Sequence, residues 1–287
     1  MIQLSGRFKL CALALFLGCS ANAQTLSCMT YNIRLEVASD GEDAWEHRRE
    51  YLSDQIRFYE PDVLGIQEGL PQQVSFLQQK LTDYASEGTG REGQGRGEST
   101  HIFFKKERFR KLETHTFWLS PTPDTVSMGW DAACLRVCTA VLLYDKRTRE
   151  KLWIFNTHLD HMGEMARKNG VALILEKMKK LNPQGFPVTL MGDFNALPES
   201  EVIQWVKKEM DDTQLLSENK SFGPEGTFNG FKFLEPVRKR IDYIFLSRSS
   251  HWKVHKHAVL SDSKNLHYPS DHFPVWVEFH YSKIKKH

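Results

Sequence analysis

Six short runs of β-branched and aromatic residues are spaced along the chain: Val63–Gln67, Val137–Tyr144, Leu152–Thr157, Val188–Gly192, Ile241–Leu246 and Phe273–Phe279. Polar loops bound each run, and this pattern predicts strands. The charged turn Asp145–Glu150 lies between two of them and predicts a hairpin over Val137–His158. Four other stretches have helical spacing. Trp45–Tyr59 places Tyr51, Leu52, Ile56 and Tyr59 on one face, and Met165–Leu181 forms a stripe of Ala172, Ile174, Leu175, Met178 and Leu181. Pro71–Leu81 opens on a proline suited to a first helical position, and Pro198–Lys208 is the fourth. Strands in hairpins mixed with helices predict an α/β architecture, two sheets packed face to face with helices outside. There is no internal repeat and no Pro/Ser-rich linker. The glycine-rich stretch Gly88–Gly97 reads as a mobile surface loop, with Arg91 and Arg96 either solvated or gripping a phosphate.

The N-terminus breaks this pattern. Arg7 and Lys9 precede the apolar run Leu10–Gly18, and Ala21-Asn22-Ala23 is an A-x-A cleavage site. Residues 1–23 therefore read as a signal peptide and 24–287 as one domain, exported to the periplasm or beyond the cell. A lipoprotein site at Gly18-Cys19 is the weaker match, because Phe16 stands where leucine is usual. Cleavage removes two basic side chains and no acids, leaving 36 basic against 36 acidic. A neutral chain has no long-range pull on nucleic acid, so any basic site must be local. Cys28, Cys134 and Cys138 remain, an odd number and no disulfide framework. On an extended strand Cys134 and Cys138 would be roughly 13 Å apart, too far to pair.

Short polar motifs sit at the strand ends: Thr30-Tyr31-Asn32-Ile33, Ile66-Gln67-Glu68, Asn156-Thr157-His158-Leu159-Asp160-His161, Gly192-Asp193-Phe194-Asn195, Ile241-Asp242-Tyr243 and Pro269-Ser270-Asp271-His272. Open α/β folds bind ligands beyond the carboxyl ends of strands. Oxygen ligands with few thiols suit a hard cation such as Mg²⁺, and histidines and amides suit a phosphate. The set reads as a metal-dependent phosphoester hydrolase.

Glu68 is the first metal-ligand candidate. It ends a buried run, where an unpaired carboxylate is costly. Asn32 follows the first strand in the same way, and Asp271 precedes the last strand beside His272. Each alone also fits a cap or turn; together they point to a metal. Asp193 and Asn195, two apart on an extended segment, point the same way. Asp193 is placed to orient or deprotonate the attacking water and Asn195 to donate to a phosphate oxygen, with an Asx turn as the alternative. His158 and His272 are the proton and charge managers, and Asp242 is placed to keep His272 charged. Arg136 opens a strand and fits a bidentate phosphate contact or a structural ion pair. His251, His255 and His257 alternate and read as surface strand residues. The Asn156–His161 segment is one residue from H-x-H-x-D-H, a binuclear zinc signature. Asn156 replaces the first histidine, however, and the other strand-end ligands are carboxylates and amides, whereas zinc favours nitrogen and sulfur.

Taken in order, these motifs resemble the endonuclease/exonuclease/phosphatase superfamily, over essentially all of Leu26–Phe279. That superfamily includes DNase I, apurinic endonucleases, inositol polyphosphate 5-phosphatases, neutral sphingomyelinases and deadenylase-type nucleases. The resemblance implies a DNase I-like four-layer α/β sandwich, two mostly antiparallel sheets flanked by helices, and hydrolysis dependent on Mg²⁺ or Mn²⁺. It carries metal binding to Asn32, Glu68 and Asp271, water activation to Asp193 and phosphate contact to Asn195. Transition-state stabilisation goes to His158 and His272, with Asp242 holding His272. Arg136, Asn156, Asn195, Trp118 and Phe228 are the expected substrate contacts. The nearest likeness is to secreted bacterial relatives of the deadenylase and nocturnin branch, carried by Trp45-Glu46-His47-Arg48-Arg49, Asn156–Leu159 with Arg167, Gly192–Pro198 with Ser200, and Thr227-Phe228.

Three functions are open at this point. The first is a secreted phosphodiesterase on single-stranded nucleic acid, acting as a 3′–5′ exonuclease, with Trp118, Trp130 and Phe228 stacking bases or else packing in the core. The second is hydrolysis of a small phosphoester: a nucleotide, a sugar phosphate or a lipid head group. The third is a non-catalytic binding protein on the same scaffold. A monomer without a stable protein partner is expected.

Overall fold

Alternating burial on both strand faces builds four layers. The computed structural model describes residues 24–248 and 251–281. The signal peptide expected at 1–23 lies outside the described residues. Strands β1 (Gln24–Asn32), β2 (Val63–Gln67), β3 (Tyr84–Glu87), β4 (Ile102–Lys105), β11 (Trp252–Val259) and β12 (Val275–Tyr281) form one sheet in the order β11-β12-β1-β2-β4-β3. Strands β5 (Phe109–Trp118), β6 (Val137–Asp145), β7 (Lys151–His158), β8 (Val188–Asp193), β9 (Met210–Asp212) and β10 (Asp242–Ser247) form the other, in the order β5-β6-β7-β8-β10-β9. Leu26, Cys28, Val63 and Phe104 of the first sheet meet Val141, Leu143, Ile154, Met191 and Ile244 of the second. Helices α1 (Trp45–Tyr59) and α2 (Pro71–Lys80) cover the outer face of the first through Leu52, Ile56, Val74 and Leu77. Helices α3 (Glu164–Leu181) and α4 (Glu201–Glu209) cover the second through Val171, Ile174, Val202 and Val206. A one-turn helix, α5 (Thr213–Leu216), follows β9. This is the DNase I-like α/β sandwich.

Two crossovers position the site. β1 pairs β2 in parallel through α1, and β7 pairs β8 in parallel through α3; the other strand pairs are antiparallel. Asn32 is therefore level with Gln67, and His158 with Asp193, at the carboxyl ends of both parallel pairs. Polar side chains join the sheets at this end. Buried Asn156 donates to the carbonyls of Ile66 and His101 at 2.8 and 3.0 Å and accepts from Gln67 Nε2 at 2.7 Å.

Three expectations change. Helix α4 begins at Glu201, not Pro198, because Ser200 caps it by accepting from the Ile203 amide. His257 is buried rather than on the surface: its Nδ1 lies 2.7 Å from Ser221 Oγ, and burial pushes its pKa down to about 3. The Gly88–Gly97 stretch is folded back on itself: the backbone N–H of Arg91 donates to the Glu98 carbonyl and that of Glu92 to the Arg96 carbonyl, and the Arg91 side chain pairs with Glu98 at 2.6 Å. Cys28, Cys134 and Cys138 are free thiols.

Candidate active site

The strand ends bring Asn32, Glu68, His158, Asp193, Asn195, Asp242, Asp271 and His272 together at one rim. Asn32 is the hub. Its Nδ2 donates to Glu68 Oε1 and to Asp193 Oδ2, both at 3.0 Å, while its Oδ1 accepts from the Arg34 amide. As oriented, Asn32 turns its amide nitrogen to the carboxylates. Glu68 sits in the left-handed region at φ 64°, a strained conformation for a residue with a Cβ, and its second oxygen accepts from the Leu35 amide. Arg48 of α1 secures this rim from behind, donating to the carbonyls of Ile33, Arg34 and Pro269.

Asp193 is buried and accepts from the Asn195 amide at 2.8 Å. Burial and the Asp242 charge push its carboxyl up toward neutrality, while His272 pulls it back. His272 Nδ1 lies 2.9 Å from Asp242 Oδ2, and its Nε2 lies 3.8 Å from Asp193 Oδ2. Burial alone would discharge this imidazole, but the Asp242 and Asp193 carboxylates hold its pKa well above the usual range, so it is cationic. Thr227 Oγ1 accepts from the Ile241 and Asp242 amides and so fixes Asp242. Phe228 covers His272 edge-on at 5.1 Å.

His158 is the opposite case. Burial, then the Arg136 and His272 charges, push its pKa well below the usual range, so it is neutral. Arg136, 6% exposed, donates Nη1 to His158 Nδ1 at 3.0 Å and Nη2 to His161 Nδ1 at 3.1 Å. A guanidinium cannot accept, so the proton of His158 sits on Nε2. That Nε2 lies 3.5 Å from Asp193 Oδ2 and 3.2 Å from Asn195 Nδ2. Arg136 thus positions two histidines, and its Nε lies 3.6 Å from Asp160 Oδ2, the structural ion pair that was one of its two expected roles. Beside it, Glu98 pairs with Arg91, and Glu68, Arg91, Glu98, Arg136 and His158 line one cleft.

Asn156 does not reach this cleft. It is 0% exposed and its donors and acceptor are all spent between the sheets, so its expected substrate contact is corrected to a structural one. Trp118 spends its indole N–H on the Arg91 carbonyl at 2.6 Å. Sequence reasoning did not single out Arg34, Glu98 or the role of His161. Arg34 lies two residues past the end of β1 and Glu98 in the loop before β4, and no spacing rule marks them.

The acidic rim fits a hard divalent cation. Asp271 is buried, with Ser270 Oγ at 3.5 Å and Arg34 Nε at 3.9 Å as its polar neighbours. Burial pushes its carboxyl up, and the nearby Glu68 charge adds to this. Two mutually repelling carboxylates held by loops suit an oxygen-bound cation. Glu68 and Asp271 would hold it, with the Asn32 oxygen available if its amide turns.

A model described as the Endonuclease/Exonuclease/phosphatase family matches residues 29–272. The chain belongs to this family. It is a phosphoester hydrolase, in a family whose members are typically dependent on divalent metal. A mannosyl-6-phosphatase from Bacteroides thetaiotaomicron is similar at 34% identity, covering 88% of this chain and 99% of that one, with a TM-score of 0.84. A family member from Bacteroides thetaiotaomicron is 32% identical over 91% of this chain and 99% of that one, with a TM-score of 0.86. Mouse (Mus musculus) nocturnin is 24% identical over 92% of this chain and 68% of its own length. An uncharacterised mimivirus protein (Acanthamoeba polyphaga mimivirus) is 29% identical over 53% of this chain, and the match spans 59% of the viral protein.

Proposed function

We infer that this family member is a divalent-metal-dependent phosphatase acting on a small phosphorylated sugar. The carrying observation is the polar wall beside the reacting centre. This wall is of mixed charge, Arg91 and Arg136 against Glu98. Such a wall matches one phosphate and several hydroxyls. Trp130 is exposed, but a polynucleotide track would also need a run of positive charge, which Glu98 interrupts here. The likeness to a mannosyl-6-phosphatase over nearly all of both chains supports the same reading.

Asp193, its carboxyl raised toward neutrality, takes the proton of the attacking water. Asn32 Nδ2 and the Asn195 amide hold that carboxylate in place. His272, kept cationic by Asp242, faces the charge carried by the phosphoryl oxygens. His158 offers its Nε2–H, and Asn195 its amide, to phosphate oxygens. Bound at Glu68 and Asp271, Mg²⁺ or Mn²⁺ would neutralise phosphate charge and lower the pKa of a bound water.

The test is product analysis of the full chain with Mg²⁺ on mannose 6-phosphate, other hexose phosphates, a nucleotide and oligo(A). Inorganic phosphate should appear from the sugar phosphates, be abolished by chelator and fall by about 10²–10⁴ in Asp193→Ala. A stepwise ladder from oligo(A) without phosphate release from the sugars would replace this reading with an exonuclease.

A further inference from the structure

Two histidines with no part in the chemistry above meet on the first sheet. His280 of β12 is level with Thr25 of β1, and β1 runs seven residues further before it reaches Asn32 at the rim. Roughly 23 Å of strand therefore separates this place from the active site. Phe279 faces the core between the sheets, so His280 faces outward. The register of β11 on β12 slips between Val254 and Lys256, and His255 is the extra residue of that bulge. A bulge re-aims side chains. This one lays the His255 ring against that of His280, with centroids 3.9 Å apart and 18° between the planes. Glu218 completes the group: its Oε2 lies 3.2 Å from His255 Nδ1, and one ligand atom each of Glu218, His255 and His280 falls within 4.8 Å of the others.

We propose that Glu218, His255 and His280 form a Zn²⁺ site that staples the stretch after α5 to the first sheet. Two imidazoles and one carboxylate are a zinc donor set, and three protein ligands leave a fourth position for water. The carboxylate is available. Among the described residues its one polar partner is His255 Nδ1, and no amide or cation claims it. In a tetrahedral site with bonds of about 2.0–2.1 Å, neighbouring donor atoms lie about 3.3 Å apart. Glu218 and His255 already stand at 3.2 Å, so zinc there takes the place of the proton that joins them. His280 then turns its ring out of the stack, which its half-exposed position allows. The backbone beneath is set before any ion arrives: the Glu218 amide donates to the Val254 carbonyl at 3.1 Å, and Asn219 Nδ2 to the His255 carbonyl at 2.8 Å. Glu278 Oε1 lies 3.8 Å from His280 Nε2 and 4.0 Å from His255 Nε2 but pairs with Lys256 at 3.5 Å, so it flanks the ion without binding it.

The experiment titrates the full chain with Zn²⁺ by calorimetry in Mg²⁺-saturated buffer and follows thermal unfolding with and without zinc. Wild type should take up one more equivalent of Zn²⁺ than His255→Ala or His280→Ala. Glu218→Gln keeps the shape of the side chain and should bind that equivalent at least about tenfold more weakly, since even a residue that only supports a ligand is worth that much. Zinc should raise the unfolding midpoint of the wild type by about 2–4 °C more than that of either histidine variant. Asp271→Ala, altered at the rim, should keep the extra equivalent. Neither readout needs a substrate, so the outcome is independent of the sugar-phosphate reading. Equal zinc uptake by wild type and His280→Ala, an equal midpoint shift in both, or loss of the extra equivalent in Asp271→Ala would overturn the proposal.

Discussion

Arg136 places one guanidinium against two imidazoles, and this fixes where both protons sit. Lysine keeps the charge but offers a point donor in place of a planar fork. In Arg136→Lys only one histidine can be held, and His158 loses its fixed tautomer. Turnover of its phosphoester substrate should fall by about 10²-fold, the cost of misplacing a reacting group by an ångström, with KM changing little. A kcat within twofold of wild type would remove Arg136 from its positioning role. At this scale the sequence was informative about identity and poor about use. Asp193, His272 and Asp242 could be named because few residue types manage protons at strand ends. Asn156 looked the same in sequence as Asn195, yet its amide bridges the sheets while Asn195 faces His158. Residue type and strand-end position do not separate an amide that binds ligand from one that binds backbone.

The elements follow the same logic. Runs buried on both faces, such as β2 and β6, were legible as near-continuous apolar stretches, and the helices of the outer layers as one-sided stripes. Strands β1, β3, β4, β5, β9 and β11 are not among the six predicted runs, although β11 was expected as a strand through its histidines. β3, β5, β9 and β11 are the sheet edges, and half-exposed β5 mixes charges with apolar residues. Gly192 shows how tightly the central pair is built. It pairs with Thr157 in the parallel register, at φ 145°, and a Cβ there would lie 2.0 Å from the Thr157 carbonyl oxygen. Gly192→Ala must push β8 away from β7. Stability should drop by about 1–3 kcal/mol or more in urea unfolding, as overpacking does. Because His158 and Asp193 are the next register pair, kcat of the folded fraction should fall as well. Unchanged kcat would mean that the strand ends absorb the shift before it reaches the site.

Across the whole molecule the two sheets are joined differently at each end. The site end uses amides and hydroxyls: Asn156 to Ile66 and His101, and Thr100 against Thr139 at 3.0 Å. The far end uses charge. Arg108, its side chain fully buried, pairs with Asp62 before β2 at 2.8 Å and with Asp145 at the end of β6 at 2.7 Å, and it donates to the Thr25 carbonyl. This clasp connects the sheets where β2 begins, opposite the rim where it ends in Gln67. Arg108→Ala would leave two buried carboxylates facing each other without their cation. Breaking such a network costs about 3–5 kcal/mol, a large share of the stability of a domain. The urea midpoint should fall accordingly with an unchanged slope. The kcat of the folded enzyme should stay within about twofold of wild type, since Arg108 touches nothing at the rim. Loss of kcat at full folding would show that the sheet spacing set by the clasp reaches the active site. Loss of stability below about 1 kcal/mol would show that water replaces the guanidinium and that the clasp is redundant.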